Sequence, residues 1–123
     1  MRIIYFSFLM GALFGFLSIA QAQQSIAPPQ AANFIGREMT VCGPVSRTYY
    51  ARDADRQPTT LSLGGTFLNQ YFAALIWGAN RGEFKKPPES LYAGKQICVT
   101  GTIEAYGGSP VIMVVSPKQI EVK

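Results

Sequence analysis

The sequence predicts an all-β domain behind an N-terminal export signal, and three observations support this fold class. Apolar and polar residues alternate with period two over residues 38–50 and again from Lys95, as in strands with one buried face. Glycine and proline pairs separate the alternating stretches. Helical signals are limited to one turn at residues 31–35 and to residues 80–94, which is too little for a helical core.

An export signal is predicted at residues 1–22. Arg2 is the only charge before the apolar run of residues 3–19, and Ala20-Gln21-Ala22 places small residues at a cleavage site. The run is short for a bilayer span, so cleavage is favoured over an uncleaved membrane anchor, which is the alternative. We expect a periplasmic or extracellular mature chain with no membrane insertion after cleavage.

A linker and lead-in at residues 23–35 is predicted to precede three strands. The first strand covers residues 38–50 and is expected to bend at Gly43-Pro44, where proline cannot donate to a ladder. A charged hairpin turn follows at 51–58. The second and third strands are predicted at 59–63 and 71–77, with a loop between them that contains Phe67.

A short helical connection is predicted next. Asn80 and Glu83 have the spacing of a capping box, and Pro88 can begin a second short helix that Gly94 ends. The fourth strand begins at Lys95, a turn occupies residues 106–110, and the fifth strand covers 111–115.

Three strands, a helical connection and two further strands follow the order of the OB-fold, a five-stranded, partly open Greek-key barrel. An SH3-like barrel is the competing arrangement, although it usually lacks a connection of this length at that point. The predicted organisation is therefore a signal peptide at 1–22, a linker and lead-in at 23–35, and an OB-fold domain at 36–123.

Four stretches resemble a family of small exported OB-fold proteins that is described as nucleic-acid-binding-like, of the single-strand-binding type. They are Met39-Thr40-Val41-Cys42-Gly43-Pro44-Val45, then Leu61-Ser62-Leu63-Gly64-Gly65 with Phe67-Leu68-Asn69, Phe72 and Ile76-Trp77-Gly78, then Leu91-Tyr92-Ala93-Gly94-Lys95-Gln96-Ile97-Cys98-Val99-Thr100-Gly101-Thr102-Ile103-Glu104, and Ser116-Pro117-Lys118-Gln119-Ile120. The resemblance covers nearly all of the mature chain. It implies an OB-fold and, through the family's description, nucleic-acid binding.

Cys42 and Cys98 are predicted to form a disulfide. In an OB-fold the first and fourth strands are antiparallel neighbours, and each Cys has the same parity relative to the inward residues of its strand. The two side chains therefore point to the same face and can lie opposite each other. Export would supply an oxidising compartment. Two free, buried thiols are the alternative.

Aromatic and basic residues beside the second and third strands are candidate ligand contacts. Rings could stack on bases or on sugars, while guanidinium and ammonium groups contact phosphates. Tyr49 and Tyr50 are consecutive, so one of them faces outward if the strand persists. Core packing is the competing role for Trp77, and a solvated surface for the two lysines. The candidates are Arg47, Tyr49, Tyr50, Arg52, Arg56, Tyr71, Trp77, Lys85, Lys86 and Tyr106.

Catalysis has little support in this sequence. It contains no histidine, which removes the usual general base and the commonest transition-metal ligand. Two Cys alone cannot form a four-ligand zinc site, and Asp53-Ala54-Asp55 lacks the Gly and Glu of a calcium loop. We expect no catalytic residues, no metal site and no cofactor.

Two functions are compatible with these features. The first is a non-catalytic binding module for an oligomeric ligand, with single-stranded nucleic acid (including DNA) first and oligosaccharide second. The alternative is a periplasmic or cell-envelope module with an interaction or structural role, which uses the same face for a protein partner. Without Arg2, ten Lys and Arg remain against seven Asp and Glu, so electrostatics alone attract polyanions weakly.

Overall fold

Strands form most of the regular structure in residues 25–65 and 71–123, which are the parts of the chain that the computed structural model describes. The predicted signal peptide and the loop with Phe67 lie outside these residues. The strands are β1 (Ser25–Ile26), β2 (Glu38–Tyr50), β3 (Thr59–Leu63), β4 (Phe72–Ile76), β5 (Gln96–Tyr106), β6 (Ser109–Met113) and β7 (Ile120–Val122). One short helix, α1 (Pro88–Leu91), and 3₁₀ helices at Pro28–Phe34, Gly78–Glu83 and Pro117–Gln119 complete the described elements. The fold is all-β, as the sequence predicts.

The five strands predicted from the sequence pair with one another in succession. β2 is antiparallel to β3, β3 is antiparallel to β4, and β4 is parallel to β6. β6 is antiparallel to β5, and β5 pairs in turn with the first half of β2. Two short strands extend this arrangement, β1 beside β2 and β7 beside β5.

The core lies between these strands and is made of their inward-facing residues. Alternation along each strand supplies these side chains, as period two requires. The largest fully buried ones are Val41, Leu61, Leu63, Phe72, Ile76, Ile97, Val99, Ile103 and Ile112, and Val114, which follows β6, is buried with them. Phe84 and Tyr92 close the same cluster from the segment between β4 and β5, with their rings in edge-to-face contact at 6.1 Å.

The bend of β2 lies elsewhere than at the predicted position. Gly43 and Pro44 pair regularly with β5, whereas the register shifts between Val45 and Arg47. Gly43 is needed for a different reason. A Cβ atom at this position would lie 2.7 Å from Cγ of Pro28, so glycine allows the proline ring to pack directly on the strand.

Residues 25–34, expected to be a linker and lead-in, pack on the domain instead. Ile26 pairs with Val41 and is buried, and Ala31 of the first 3₁₀ helix is completely buried. Pro28 occupies the first turn of that helix, where its fixed φ is favourable, and it is also buried. A Pro-Pro pair therefore begins a packed helix here rather than a flexible segment.

The helical connection differs from its prediction at one end. The 3₁₀ helix begins at Gly78 with Trp77 as its N-cap and no side-chain cap, so the capping box of Asn80 and Glu83 is wrong. The backbone N–H of Asn80 instead donates to the Trp77 carbonyl at 2.9 Å. α1 does begin at Pro88, as predicted.

The last hairpin is tighter than expected. Tyr106 pairs directly with Ser109, because Gly107 and Gly108 both adopt positive φ and form a two-residue turn. β6 therefore begins at Ser109 and ends at Met113, two residues earlier at each end than the predicted fifth strand.

Candidate ligand-binding face

Two cross-strand rows of side chains lie on the outward side of β2, β3, β4 and β6. Residues that are directly opposite in register share a face of the sheet. One row consists of Arg47, Ser62, Ala73 and Val111, and the other of Tyr49, Thr60, Leu75 and Met113. We call this surface the outer face. It is polar on β2 and β3 and apolar on β4 and β6.

The polar half of the outer face contains an open pocket of about 140 Å³, lined by Arg47, Tyr49, Thr60 and Ser62. Tyr49 is 57% exposed, and Cζ of Arg47 lies 5.9 Å from the centroid of its ring. The pocket thus combines a guanidinium, an aromatic face and two hydroxyl groups. These groups can bind an oxyanion and stack on a planar ring at the same place.

The apolar half of the outer face forms a second hydrophobic cluster, separate from the core. It contains Ala73, Leu75, Trp77 and Val111, with Met113 packed against them. Trp77 is only 8% exposed, and the Tyr106 ring meets it edge-on with 5.6 Å between centroids. Tyr106 is itself 46% exposed at the end of β5. Trp77 therefore has the packing role that the sequence left open.

Arg56 lies directly over Trp77. Its Cζ is 3.9 Å from the ring centroid, and the Gly78 amide donates to the Arg56 carbonyl at 2.9 Å. Arg56 and Gln57 both have positive φ, at 59° and 45°, which is uncommon for residues other than glycine. The sequence suggests a solvated charged turn here and contains no signal for this contact.

Tyr50 lies in a different environment from its neighbour Tyr49. Cζ of Arg81 is 3.5 Å from the centroid of the Tyr50 ring, and Arg81 forms a bidentate ion pair with Glu89 at 2.7 and 3.1 Å. Arg81 also donates to Oγ1 of Thr59. We call these four residues the Arg81 cluster. The hydrogen bonds from Arg81 lower the pKa of the Glu89 carboxyl, and Glu89 in turn raises the pKa of Arg81.

The other predicted contact residues are distributed around these two groups. Arg52 lies in the loop between β2 and β3, with its Cζ 5.9 Å from the Tyr50 ring centroid. Tyr71 is exposed just before β4 and has the same parity as Ala73 and Leu75. Lys85 and Lys86 are exposed between the second 3₁₀ helix and α1, and neither lines the pocket. Thr60 and Ser62, which sequence reasoning missed, alternate with Leu61 and Leu63, so period two could have placed them outward.

Cys42 and Cys98 form the predicted disulfide. The two residues are directly opposite in the pairing of β2 with β5, and their Cα atoms are 4.0 Å apart. Thr40 and Thr100 are the next pair on the same face, and their hydroxyl oxygens are hydrogen-bonded at 2.8 Å. The disulfide therefore joins β5 to the first half of β2, which precedes the outer-face residues Arg47 and Tyr49.

Within residues 25–65 and 71–123, no three His, Cys, Asp or Glu side chains are grouped closely enough to hold a metal ion. The helices in the same residues include none with the length and apolar character of a membrane span.

No protein-family model matches the chain, and no curated protein does. Two solved structures are similar in fold, each with a TM-score of 0.50. One is described as an aspartyl-tRNA synthetase from Leishmania major Friedlin, with 11% identity over 83% of this chain and 21% of that one. The other is "OBody AM2EP06 bound to hen egg-white lysozyme", with 14% identity over 79% of this chain and 90% of that one. The chain thus spans about a fifth of the synthetase, and the likeness concerns the fold alone.

Proposed function

We propose that this chain is an exported, non-catalytic OB-fold module whose outer face binds an oligomeric ligand, with single-stranded nucleic acid as the first candidate. The succession of pairings β2–β3–β4–β6–β5 and back to β2 supports a five-stranded barrel, because a sheet that returns to its first strand has closed on itself. The helical connection between β4 and β5 agrees with the OB-fold order.

Export is supported by two independent features. The sequence of residues 1–22 has the charge, apolar run and small-residue ending of a signal peptide. The Cys42–Cys98 disulfide is of the kind that persists in oxidising compartments such as the periplasm.

The proposed binding function depends on the pocket lined by Arg47, Tyr49, Thr60 and Ser62, next to the apolar half of the outer face. A nucleobase can stack on the exposed Tyr49 ring, and the guanidinium of Arg47 can bind the adjacent phosphodiester. The apolar side chains of β4 and β6 in the same rows are buried and support this face of the sheet from behind the pocket's edge, with Met113 only partly buried. An oligosaccharide, the second candidate ligand, would use the same aromatic ring for its sugar face.

The test is the binding of a labelled single-stranded oligonucleotide, measured by fluorescence anisotropy at several salt concentrations. We expect the logarithm of the association constant to fall with log salt by about 0.7 for each phosphate neutralised. Tyr49→Ala should weaken binding by about 1–3 kcal/mol without a loss of stability, because it removes one stacking surface. Tyr50→Ala should instead lower the free energy of unfolding, since that ring packs under Arg81.

Val122→Ala is the matched control, because Val122 is an exposed apolar residue of β7 outside the outer face. It should leave the affinity and the salt slope unchanged. A salt slope near zero, or wild-type affinity in Tyr49→Ala, would remove the support for nucleic acid.

A protein partner is the second candidate function, and it is favoured by the partly exposed Met113 and the exposed Tyr106 at the edge of the apolar half. The structural neighbour OBody AM2EP06 is bound to a protein, hen egg-white lysozyme. Binding of a protein by this chain can be tested in the same way as binding of a polyanion. A partner that co-purifies with the wild type should be lost from Met113→Asp and retained by Arg47→Gln. The reverse pattern would favour the polyanion.

A further inference from the structure

We propose that Arg56 is an oxyanion-binding subsite at the end of the outer face, with Trp77 as the platform that holds its guanidinium. This inference rests on the proposed function and assigns one contact within it, to a phosphodiester of the bound strand. Trp77 then has a positioning role and does not itself stack on the ligand.

Trp77 is already covered on the sides that a ligand would need. The guanidinium of Arg56 lies over its ring at 3.9 Å, and the Tyr106 ring meets it edge-on. Only 8% of Trp77 is exposed. A base could reach its face only by displacing Arg56, whereas an anion can approach Arg56 with the stack intact.

The loop that carries Arg56 is held in place by several contacts. The positive φ angles of Arg56 and Gln57 are costly for side-chain-bearing residues and persist only where the surroundings determine them. Here the Gly78 amide binds the Arg56 carbonyl, and the Gln57 side-chain amide donates to the Arg52 carbonyl at 3.0 Å. A Cβ atom at Gly78 would lie 3.0 Å from Cβ of Gln57, so the loop and the residue after Trp77 pack closely.

The donors of Arg56 are available for an anion. Within the described chain, no Asp or Glu oxygen lies within 4.0 Å of its guanidinium, and the residue is exposed. Stacking on an aromatic ring uses the flat face of the guanidinium and leaves its N–H edge for a bidentate contact with an oxyanion. The Arg56 guanidinium is therefore a hydrogen-bond donor that is held in place, unlike a mobile charged side chain on the surface.

The position of Arg56 also selects for an oligomer. Arg47 of β2 lies in the same cross-strand row as Ala73 of β4, which is two strands away. Trp77 lies four residues further along the chain than Ala73. Strand and residue spacings place Arg47 and Trp77 roughly 15 Å apart. A ligand that contacts both arginines must therefore extend over more than one phosphodiester.

The test uses oligothymidylate as the probe and Trp77 as the reporter, since it is the single tryptophan in the sequence. Binding to the wild type should change the Trp77 emission. Arg56→Gln should weaken binding about tenfold and lower the salt slope by about 0.7, because one charged hydrogen-bonded contact is lost. Arg56→Lys should keep most of the slope but not the affinity, since an ammonium lacks the planar fork. Thymidine monophosphate should bind far more weakly than the oligomer.

Arg37→Gln is the matched control. Cζ of Arg37 also lies near an aromatic ring, 5.3 Å from the Phe34 centroid, but just before the other end of β2. The substitution therefore removes the same charge at a distant position. It should leave binding unchanged. Equal losses from Arg37→Gln and Arg56→Gln, or full affinity in Arg56→Lys, would overturn the subsite and leave a diffuse charge effect.

Two further outcomes separate the subsite from the proposed function. If Arg56→Gln binds like the wild type while Tyr49→Ala is weakened, the subsite is wrong and the proposed function stands. If the wild type binds no oligothymidylate at low salt, the nucleic-acid function fails, and the subsite fails with it. Binding of dextran sulfate but not of oligothymidylate would likewise overturn the nucleic-acid function and the assignment of Arg56 to a phosphodiester.

Discussion

The two halves of β2 differ in what surrounds them. Residues 38–44 pair with β5 on one edge, Thr40 and Val41 pair with β1 on the other, and Cys42 carries the disulfide. From Val45 onward the strand pairs with β3, and it presents Arg47 and the exposed Tyr49 to the pocket. One strand therefore contains a cross-linked half and a half that lines a surface.

Two contacts of an arginine with an aromatic ring also differ from each other, because the arginines have different further partners. Arg81 over Tyr50 and Arg56 over Trp77 are both close contacts of a guanidinium with a ring. The donors of Arg81 are used by Glu89 and Thr59, whereas no carboxylate of the described chain pairs with Arg56. We therefore expect changes in the first half of β2 and in the Arg81 cluster to affect stability, and changes on the outer face to affect binding.

Removal of the disulfide should have the largest effect. Cys42→Ala with Cys98→Ala releases a link between residues 56 apart in sequence. The free energy of unfolding should fall by about 4 kcal/mol on the chain-entropy model, and often by less. Urea unfolding measures this change. If the folded variant also loses its affinity for oligonucleotide, the two halves of β2 are not independent.

Gly43→Ala should have the next largest effect. The added methyl group would meet Cγ of Pro28 at 2.7 Å, so the first 3₁₀ helix must shift. A loss of about 1–3 kcal/mol is expected, as for other overpacked sites. Gly82→Ala is the control, because a Cβ atom there has no neighbour within 4 Å among the described residues. Equal unfolding midpoints for the two variants would contradict the close packing of Pro28.

The sequence predicted the strands well because they depend on local alternation, and β2 and β3 have the predicted bounds. The disulfide needed two steps: the OB-fold order made the two strands neighbours, and the shared parity of Cys42 and Cys98 placed both side chains on one face. The packing of residues 25–34 could not be predicted in this way. Pro28 is buried because it contacts Gly43 and Gly64, which are distant in sequence, and nothing in the local pattern encodes those contacts.

The outer face was harder to predict than the fold. Strict alternation from Val45 would have turned Arg47 and Tyr49 inward, but the register shift between Val45 and Arg47 reverses the parity. The sequence showed that one of the two tyrosines faces outward without showing which. The stack of Arg56 on Trp77 depends on left-handed conformations at two residues other than glycine, for which no sequence signal exists.

Glu89→Gln should have a smaller effect that depends on pH. The pKa of Glu89 is lowered by the hydrogen bonds from Arg81, so the ion pair stabilises the folded state above the unfolded-state pKa. This contribution is lost as the pH falls through the lowered folded-state pKa. The variant should be less stable than the wild type by about 1 kcal/mol at pH 6, and the difference should shrink towards pH 3. Urea midpoints at the two pH values test this, and a difference that is constant with pH would contradict it.

Tyr49→Phe should have the smallest effect, and it separates stacking on the Tyr49 ring from hydrogen bonding by its hydroxyl. The change keeps the exposed ring and removes only the hydroxyl, so the stability should stay within about 0.5 kcal/mol of the wild type, as for most surface substitutions. If Tyr49 stacks on a base, the affinity for oligonucleotide should also be retained, because stacking uses the ring face. A hydroxyl that hydrogen-bonds to the ligand would instead be costly to remove. Retained affinity in Tyr49→Phe beside a loss in Tyr49→Ala therefore supports stacking on the ring. Equal losses in both variants would point to hydrogen bonding by the hydroxyl and contradict the stacking role of Tyr49.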